Sequence, residues 1–345
     1  MMNKQSRFSV GVAGASGYGG AELLRLLAWH PVLEVTVVAG GSNAGRPLDD
    51  LFPHLQATTT LVASEAQSFA GCDLVFLATP HELSLELAPA LVEGGIRVVD
   101  LSGAFRLPAE DFEQWYGMPH PAPGLAPAVY GLVELFGDDI PGQMLVANPG
   151  CYPTAALLAL YPLRDLVAPD SVTIAGLSGT TGAGKALRDE LHFSHAANNV
   201  AAYGAPAHRH TPEIEQGWAR LTGTAAELTF TPHLVPMPRG LLCTVTASLQ
   251  DNVEAADVRQ SLEKSYAAEP FVRVLPQGAW PSTTHLRGSN GAAVGVATDP
   301  RTHRVTASCA IDNLGKGAAG QAIQNANLLL GLHHATGLSA VGMYP

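Results

Sequence analysis

Phe8-Ser9-Val10-Gly11-Val12-Ala13, Gly14-Ala15-Ser16-Gly17-Tyr18-Gly19-Gly20 and Ala21-Glu22-Leu23-Leu24-Arg25-Leu26-Leu27 follow one another without a gap. The first is a short apolar run of strand composition, the second a glycine turn, and the third has the composition and length of a helix. That order is the one a dinucleotide site requires. Turn glycines let the backbone approach a pyrophosphate, and a helix N-terminus supplies N–H donors and positive potential. The spacing is G-x-x-G-x-x-G on Gly14, Gly17 and Gly20, not the commoner G-x-G-x-x-G, and a glycine triplet alone is weak evidence. Its place between strand and helix makes Gly14, Ser16, Gly17, Tyr18, Gly19 and Gly20 candidate cofactor contacts.

Glu34 to Ala39 reads as the second strand. A site that reads the ribose 2′-hydroxyl of NAD usually carries Asp or Glu near that strand's end. Here stand Gly40-Gly41-Ser42-Asn43, with Arg46 just beyond. No acid repels a 2′-phosphate, and small donors lie beside an arginine, so Ser42, Asn43 and Arg46 favour NADP. Cys72 to Ala78 and Ile96 to Leu101 are near-continuous apolar runs, the pattern of parallel strands covered on both faces, with His81 to Glu93 as the crossover helix. Thr79-Pro80-His81 and Ser102-Gly103-Ala104-Phe105-Arg106 then fall at carboxyl ends of strands, where open α/β sheets bind ligands. Arg106 follows a flexible turn from which it can reach an anionic group, with a plain surface arginine as the competing reading.

Met144 to Ala147 reads as a further strand that delivers the chain to Asn148-Pro149-Gly150-Cys151-Tyr152-Pro153-Thr154 and the apolar run Ala155 to Leu160. Gly150 permits a tight turn, and Pro153 suits the first turn of a helix because its missing N–H would have no partner there. Cys151 is therefore expected at a helix N-terminus, where the dipole favours a thiolate, and is a candidate covalent nucleophile. A buried structural cysteine is the competing reading.

Val172 to Leu177 opens a second region, ending in Ser178-Gly179-Thr180-Thr181-Gly182-Ala183-Gly184-Lys185. Its hydroxyls, glycines and closing cation suit a phosphate or carboxylate, without P-loop spacing. Ala207-His208-Arg209-His210-Thr211-Pro212-Glu213 is the other dense cluster. If extended, His208 and His210 share a face, and a histidine beside a thiol is the usual means of moving protons in acyl transfer. Thr211 with Pro212 reads as a helix cap and first position. A metal site is discounted because no further ligands stand at matching spacing. Later strands (Glu227 to Pro232, Cys243 to Leu249, Arg304 to Ala310) and a helix from Ala255 to Ala267 make this region α+β with a largely antiparallel sheet. Ile311 to Gly320 then opens a final helix, Gln321 to Leu330.

Composition agrees with a two-domain α/β enzyme. The chain has 345 residues, 47% hydrophobic and only 14% charged, with 36 glycines and 25 prolines, which excludes a disordered or coiled-coil protein. A net charge of -11 with no basic cluster argues against nucleic acid, while leaving room for a small anionic substrate. Cys72, Cys151, Cys243 and Cys309 lie far apart with no C-x-x-C pair, as expected in a reducing cytosol. Lys4 and Arg7 before Phe8 to Ala13 imitate a signal peptide, but glycines replace a sustained apolar segment. No run reaches the length of a membrane span.

Taken together, the Gly14–Gly20 turn, Leu101-Ser102-Gly103-Ala104-Phe105-Arg106, Pro149-Gly150-Cys151-Tyr152-Pro153-Thr154, His208-Arg209-His210 and Asp312-Asn313-Leu314 with Lys316-Gly317 resemble the N-acetyl-γ-glutamyl-phosphate reductases, relatives of aspartate-semialdehyde dehydrogenase. The resemblance runs nearly end to end. It departs at Gly40-Gly41 and Leu314-Gly315-Lys316, where relatives often carry other small or apolar residues. It implies a Rossmann-type parallel sheet (residues 1–149 and 315–345) with a second α+β domain (150–314) for substrate, catalysis and oligomerisation. NADP is expected at the Gly14 loop, with the final helix and Asn313 beside the nicotinamide. Cys151 is the implied nucleophile and His208 and His210 the implied acid/base pair, with His208 preferred. Arg106, Ser178, Gly179 and Lys185 are substrate-side candidates. The implied reaction is NADPH-dependent reductive dephosphorylation through a cysteine thioester, in a cytoplasmic homodimer or homotetramer. Aspartyl or N-acetyl-aminoadipyl phosphate is the alternative substrate, and a thiol-independent reductase or a nucleotide sensor are the other classes.

Overall fold

A computed structural model describes residues 7–344, so Lys4 lies outside the described residues. They form two compact units, one comprising the chain up to Pro149 together with Ala318–Leu338, the other Gly150–Gly317 with the tail from Ser339.

In the first unit six strands form one sheet in the order β2 (Leu33–Ala39), β1 (Phe8–Ala13), β3 (Leu74–Leu77), β4 (Arg97–Asp100), β6 (Leu145–Ala147), β5 (Val129–Tyr130). Every neighbouring pair is parallel. Val10, Val12, Leu74, Phe76 and Val99 point to one apolar layer and Val75, Leu77 and Val98 to the other, where Phe69 packs on them, which is why these strands read as unbroken hydrophobic runs. The chain steps from β1 to β2 on one side and returns to β3 on the other, so the order in which strands are added reverses between β1 and β3. The crevice at such a reversal is where ligands enter, and the Gly14 turn lies there.

The helix after that turn begins at Tyr18 and runs to Leu27, three residues earlier than the composition predicts. Gly19 and Gly20 are therefore helical. Gly20 must be glycine because a Cβ there would collide with the backbone of Gly14 and Ala15. The final helix, Gly320–Leu329, is entered through a π-helical turn at Gly315–Ala319. The expected small residues line it, yet it is also pinned by buried amides. Gln321 donates to Gly131 O at 2.8 Å, Asn325 to Asn148 Oδ1 at 2.9 Å, and Asn327 to the carbonyls of His334 and Thr336.

The second unit carries a seven-stranded sheet in the order β11 (Val272–Val274), β12 (Ala292–Asp299), β13 (Arg304–Ile311), β10 (Leu241–Ser248), β7 (Thr173–Gly179), β9 (Thr229–Val235), β8 (Ala201–Ala202). It is largely antiparallel, with parallel pairs at β11/β12 and β7/β9. The Cys151–Leu160 helix packs on β10 and β13, and Tyr152 to Leu160 are all buried. The tail from Ser339 is held within this unit, its Ser339 carbonyl accepting from Asn290 N and Met343 N donating to Arg287 O.

Candidate active site

The first unit carries one candidate site, the Gly14 turn. Gly14 has φ +75°, and a Cβ there would strike the Ala78 carbonyl, so the turn lies directly on the end of β3. Both facts demand glycine, so the turn can pack its backbone directly against the end of β3. Gly17 is the N-cap of the Tyr18–Leu27 helix, whose first N–H groups open toward the turn. Ser16 Oγ donates to Gly40 O at 3.4 Å, joining the turn to the end of β2. There Ser42 and Arg46 are exposed, Arg46 donates to Asn43 Oδ1 at 3.2 Å, and no carboxylate occupies the strand end. A cradle that only glycine fits, a helix N-terminus and an arginine in place of an acid form the donor set a dinucleotide with a 2′-phosphate requires.

Arg106, a substrate-side candidate, is held by backbone carbonyls. It is buried, its Nε donating to Asn148 O and one terminal nitrogen to Leu101 O, both at 2.8 Å. A guanidinium that enters a core must find acceptors, and strand-end carbonyls supply them. Beneath it Asp100, fully buried, accepts from Ser102 N and Ser102 Oγ. Burial raises the Asp100 carboxyl above its ordinary pKa, against the hydrogen bonds of Ser102 and Ser84 and the charge of Arg106.

The second unit carries another candidate site, the turn at Cys151. Gly150 is the N-cap and Cys151 the first residue of the Cys151–Leu160 helix, half-buried while the rest of the helix is enclosed. Thr154 ties back to Gly150 O through both its N–H (3.0 Å) and its hydroxyl (2.9 Å). Two glycines flank the cysteine for steric reasons. A Cβ on Gly150 would run into the ring of His210, and one on Gly317 would come within 2.8 Å of the Cys151 Cβ. The Gly150 N–H donates to Glu213 Oε1 at 2.8 Å.

His208 and His210 come together, their ring centroids 4.9 Å apart, but not by strand alternation. The segment turns, and His210 caps the helix Thr211–Thr222, one position earlier than Thr211 was expected to. His208 sits edge-on among Tyr152, Tyr203 and Phe230, and its Nδ1 accepts the N–H of His210 at 3.1 Å. Burial, then the neighbouring Arg209, lowers the His208 pKa to about 4. It is a neutral imidazole fixed as the Nε2–H tautomer. A further chain of bonds runs from Tyr203 OH to Tyr152 OH (3.4 Å) and on to His233 O (2.9 Å). Burial raises both phenols, Tyr203 to about 12 and Tyr152 beyond that.

The depressed His208 pKa has a consequence for stability. The unfolded chain takes up a proton near pH 6.5 that the native ring refuses until about pH 4. Stability is therefore lost as pH falls through that window. Urea unfolding of His208→Phe between pH 7 and 4 should show a shallower decline than the parent, and identical slopes would refute the assignment.

Ser178 is buried and Gly179 is shielded at the end of β7, where a Cβ on Gly179 would approach Met237 O at 2.7 Å. Lys185 is exposed in the loop beyond. Asn313, expected beside the nicotinamide, is hydrogen-bonded within the second unit. Its Oδ1 accepts from Gly240 N and its Nδ2 donates to Thr181 Oγ1, fastening the 180 and 240 loops. Beside it Asp312, fully buried, is paired with Arg239 (2.9 Å) and accepts from the N–H groups of Gly288, Leu314 and Gly315. Sequence reasoning passed over Glu213, Arg239 and Tyr203. An acid in a first helical turn and a lone arginine after proline carry no distinguishing pattern, and only the fold gives them partners.

Residues 9–143 match the semialdehyde dehydrogenase NAD-binding domain, and residues 151–313 the semialdehyde dehydrogenase dimerisation domain. The chain is 48% identical to an N-acetyl-gamma-glutamyl-phosphate reductase of Symbiobacterium thermophilum, over 97% of this chain and 99% of that one. It is 45% identical to the enzyme of that name from Desulforamulus reducens, again over 97% and 99%. Among solved structures, aspartate semialdehyde dehydrogenase II from Vibrio cholerae superposes with a TM-score of 0.72 at 18% identity, covering 94% of this chain and 99% of that one. A probable aspartate-semialdehyde dehydrogenase from Pseudomonas aeruginosa gives 0.70 at 21% identity over 94% and 99%. The two structural likenesses establish the fold; near-complete coverage at close to half identity establishes more, and the chain belongs to the N-acetyl-γ-glutamyl-phosphate reductase family.

Proposed function

We propose that this protein reduces N-acetyl-γ-glutamyl phosphate to N-acetylglutamate semialdehyde with NADPH, through a thioester on Cys151. The observation that carries the reading is the placement of a half-buried cysteine at the first position of an enclosed apolar helix, with the His210 ring seated on the residue before it. The helix terminus stabilises the thiolate. His210 takes the thiol proton, and Cys151 Sγ attacks the acyl carbon. The carbon–oxygen bond to phosphate breaks, and His210 returns its proton to the departing group. NADPH, when bound, supplies the hydride that reduces the thioester. The N–H groups at the helix start hold the resulting oxyanion, and its collapse expels the Cys151 thiolate and frees the aldehyde.

This reading gives the acid/base role to His210 and not to His208, the one preferred from sequence. A ring with its Nδ1 occupied and its pKa near 4 is a poor proton carrier at neutral pH. The reducing nucleotide is assigned to the unit that holds the Gly14 turn and the last helix, with Ser42, Asn43 and Arg46 toward the 2′-phosphate. The acyl chemistry is assigned to residues 150–314, with Ser178, Gly179 and Lys185 toward the substrate. The four free cysteines support a cytoplasmic location, and the match to a dimerisation domain supports a homodimer or homotetramer. Among the described residues no helix is long and apolar enough to cross a membrane.

The test is to mix enzyme and acyl phosphate without nucleotide. A burst of inorganic phosphate equal to the enzyme, with a hydroxylamine-labile adduct on the Cys151 peptide, is expected. Phosphate release with no adduct would sink the thioester.

A further inference from the structure

We propose that Glu213 is a positioning residue for the nucleophile, setting Cys151 against His210 through the N–H of Gly150; the proposal rests on reading Cys151 as the nucleophile. Glu213 lies in the first turn of the Thr211–Thr222 helix. An acid there ordinarily folds back on the N-cap N–H or answers the helix dipole. Here the N–H of the N-cap residue, His210, already donates to His208 Nδ1. Glu213 is 1% exposed, and its Oε1 accepts the N–H of Gly150, at the start of the other helix, at 2.8 Å.

A buried carboxyl group is costly unless hydrogen bonds answer it, so this one needs a structural reason. The geometry supplies one. Gly150 has no side chain to hold it, and it is the residue from which the Cys151 helix starts. It takes two contacts from the start of the Thr211–Thr222 helix: the ring of His210 over its Cα and the carboxyl of Glu213 on its N–H. Further along, a Cβ on Gly217 would meet Leu157 at 2.6 Å, so the same two helices also cross in close contact there. The Glu213 bond is thus a direct polar tie between the starts of these two helices. It fixes where the sulfur stands relative to the imidazole. Misplacement of reacting groups by about 1 Å costs about 10²-fold in rate.

The alternative is that Glu213 merely satisfies a buried N–H and contributes only stability. The experiment uses the full-length enzyme with Glu213→Ala, Glu213→Gln and Glu213→Asp, and Cys151→Ser as a parallel control. It reads kcat and KM with N-acetyl-γ-glutamyl phosphate and NADPH, and the rate constant for iodoacetamide at Cys151 without substrate. Glu213→Ala should lower kcat by about 10²-fold with both KM values within about threefold of the parent, and should change the alkylation rate more than about threefold. Glu213→Gln should recover kcat to within about threefold, since its amide oxygen accepts the same N–H.

A Glu213→Ala enzyme with parent-like kcat and alkylation rate would overturn the proposal. So would Glu213→Gln as impaired as Glu213→Ala. Should Glu213→Ala fail to fold, Glu213→Asp decides, because its carboxyl stops one methylene short. A kcat at least about tenfold down with cooperative unfolding supports the role, and parent-like kcat overturns it. The control separates the two readings. An active Cys151→Ser enzyme removes the nucleophile itself, whereas an inactive one beside parent-like Glu213 variants removes only the Glu213 role.

Discussion

Cys151→Ser should fold like the parent, bind NADPH with unchanged affinity, and turn over the acyl phosphate at least about 10³-fold more slowly. Serine retains the Cβ that rests against Gly317, so the packing of the turn is kept. What changes is the chemistry. A helix N-terminus can bring a thiol into its ionised range but leaves a hydroxyl, many units weaker as an acid, protonated. An oxygen ester also accepts hydride less readily than a thioester, so both halves of the reaction suffer. NADPH oxidation followed by absorbance measures the loss directly, and turnover within tenfold of the parent would end the covalent route.

His210→Ala should lower kcat by about 100- to 10,000-fold and remove from the pH–rate profile the limb that reports its titration. The corresponding His208 variant should lose much less and keep the parent's profile. The two rings stand 4.9 Å apart, so proximity alone does not separate them. Their partners do. His208 is packed edge-on among aromatic rings with one nitrogen bonded to backbone, while the His210 ring covers Gly150, the residue before Cys151. If His208→Ala abolished the limb and His210→Ala left it intact, the roles would have to be exchanged.

The parts of the site that were legible in the sequence are those where local chemistry and chain position coincide. Gly14, Gly17 and Gly20 announce a close backbone approach, and the Gly150-Cys151 turn before a run of alanines and leucines announces a cysteine on a helix terminus. The parallel sheet was legible for a similar reason, because strands buried on both faces cannot afford polar interruptions. Arg106 shows the limit. Its sequence neighbours, serine and glycine, describe a pliable loop, whereas its orientation is decided by the carbonyls of Leu101 and the distant Asn148. Asn313 is similar, since its partners lie 73 and 132 positions away. Strand β12 went unread because alanine, glycine and valine alternate there without contrast between faces, and the pattern only acquires meaning when β11 and β13 flank it.

The helix Gly320–Leu329 carries an implication for anyone who would redesign this enzyme. A helix seated by apolar side chains alone can slip a little along its axis, trading one greasy neighbour for the next at small loss. This one is anchored by Gln321, Asn325 and Asn327 to acceptors at Gly131, Asn148, His334 and Thr336, each in a fixed direction. Sliding it by a residue would break every one of those anchors at once. It has a single register, and mutational drift beside it must accommodate the helix, because the helix will not accommodate the drift.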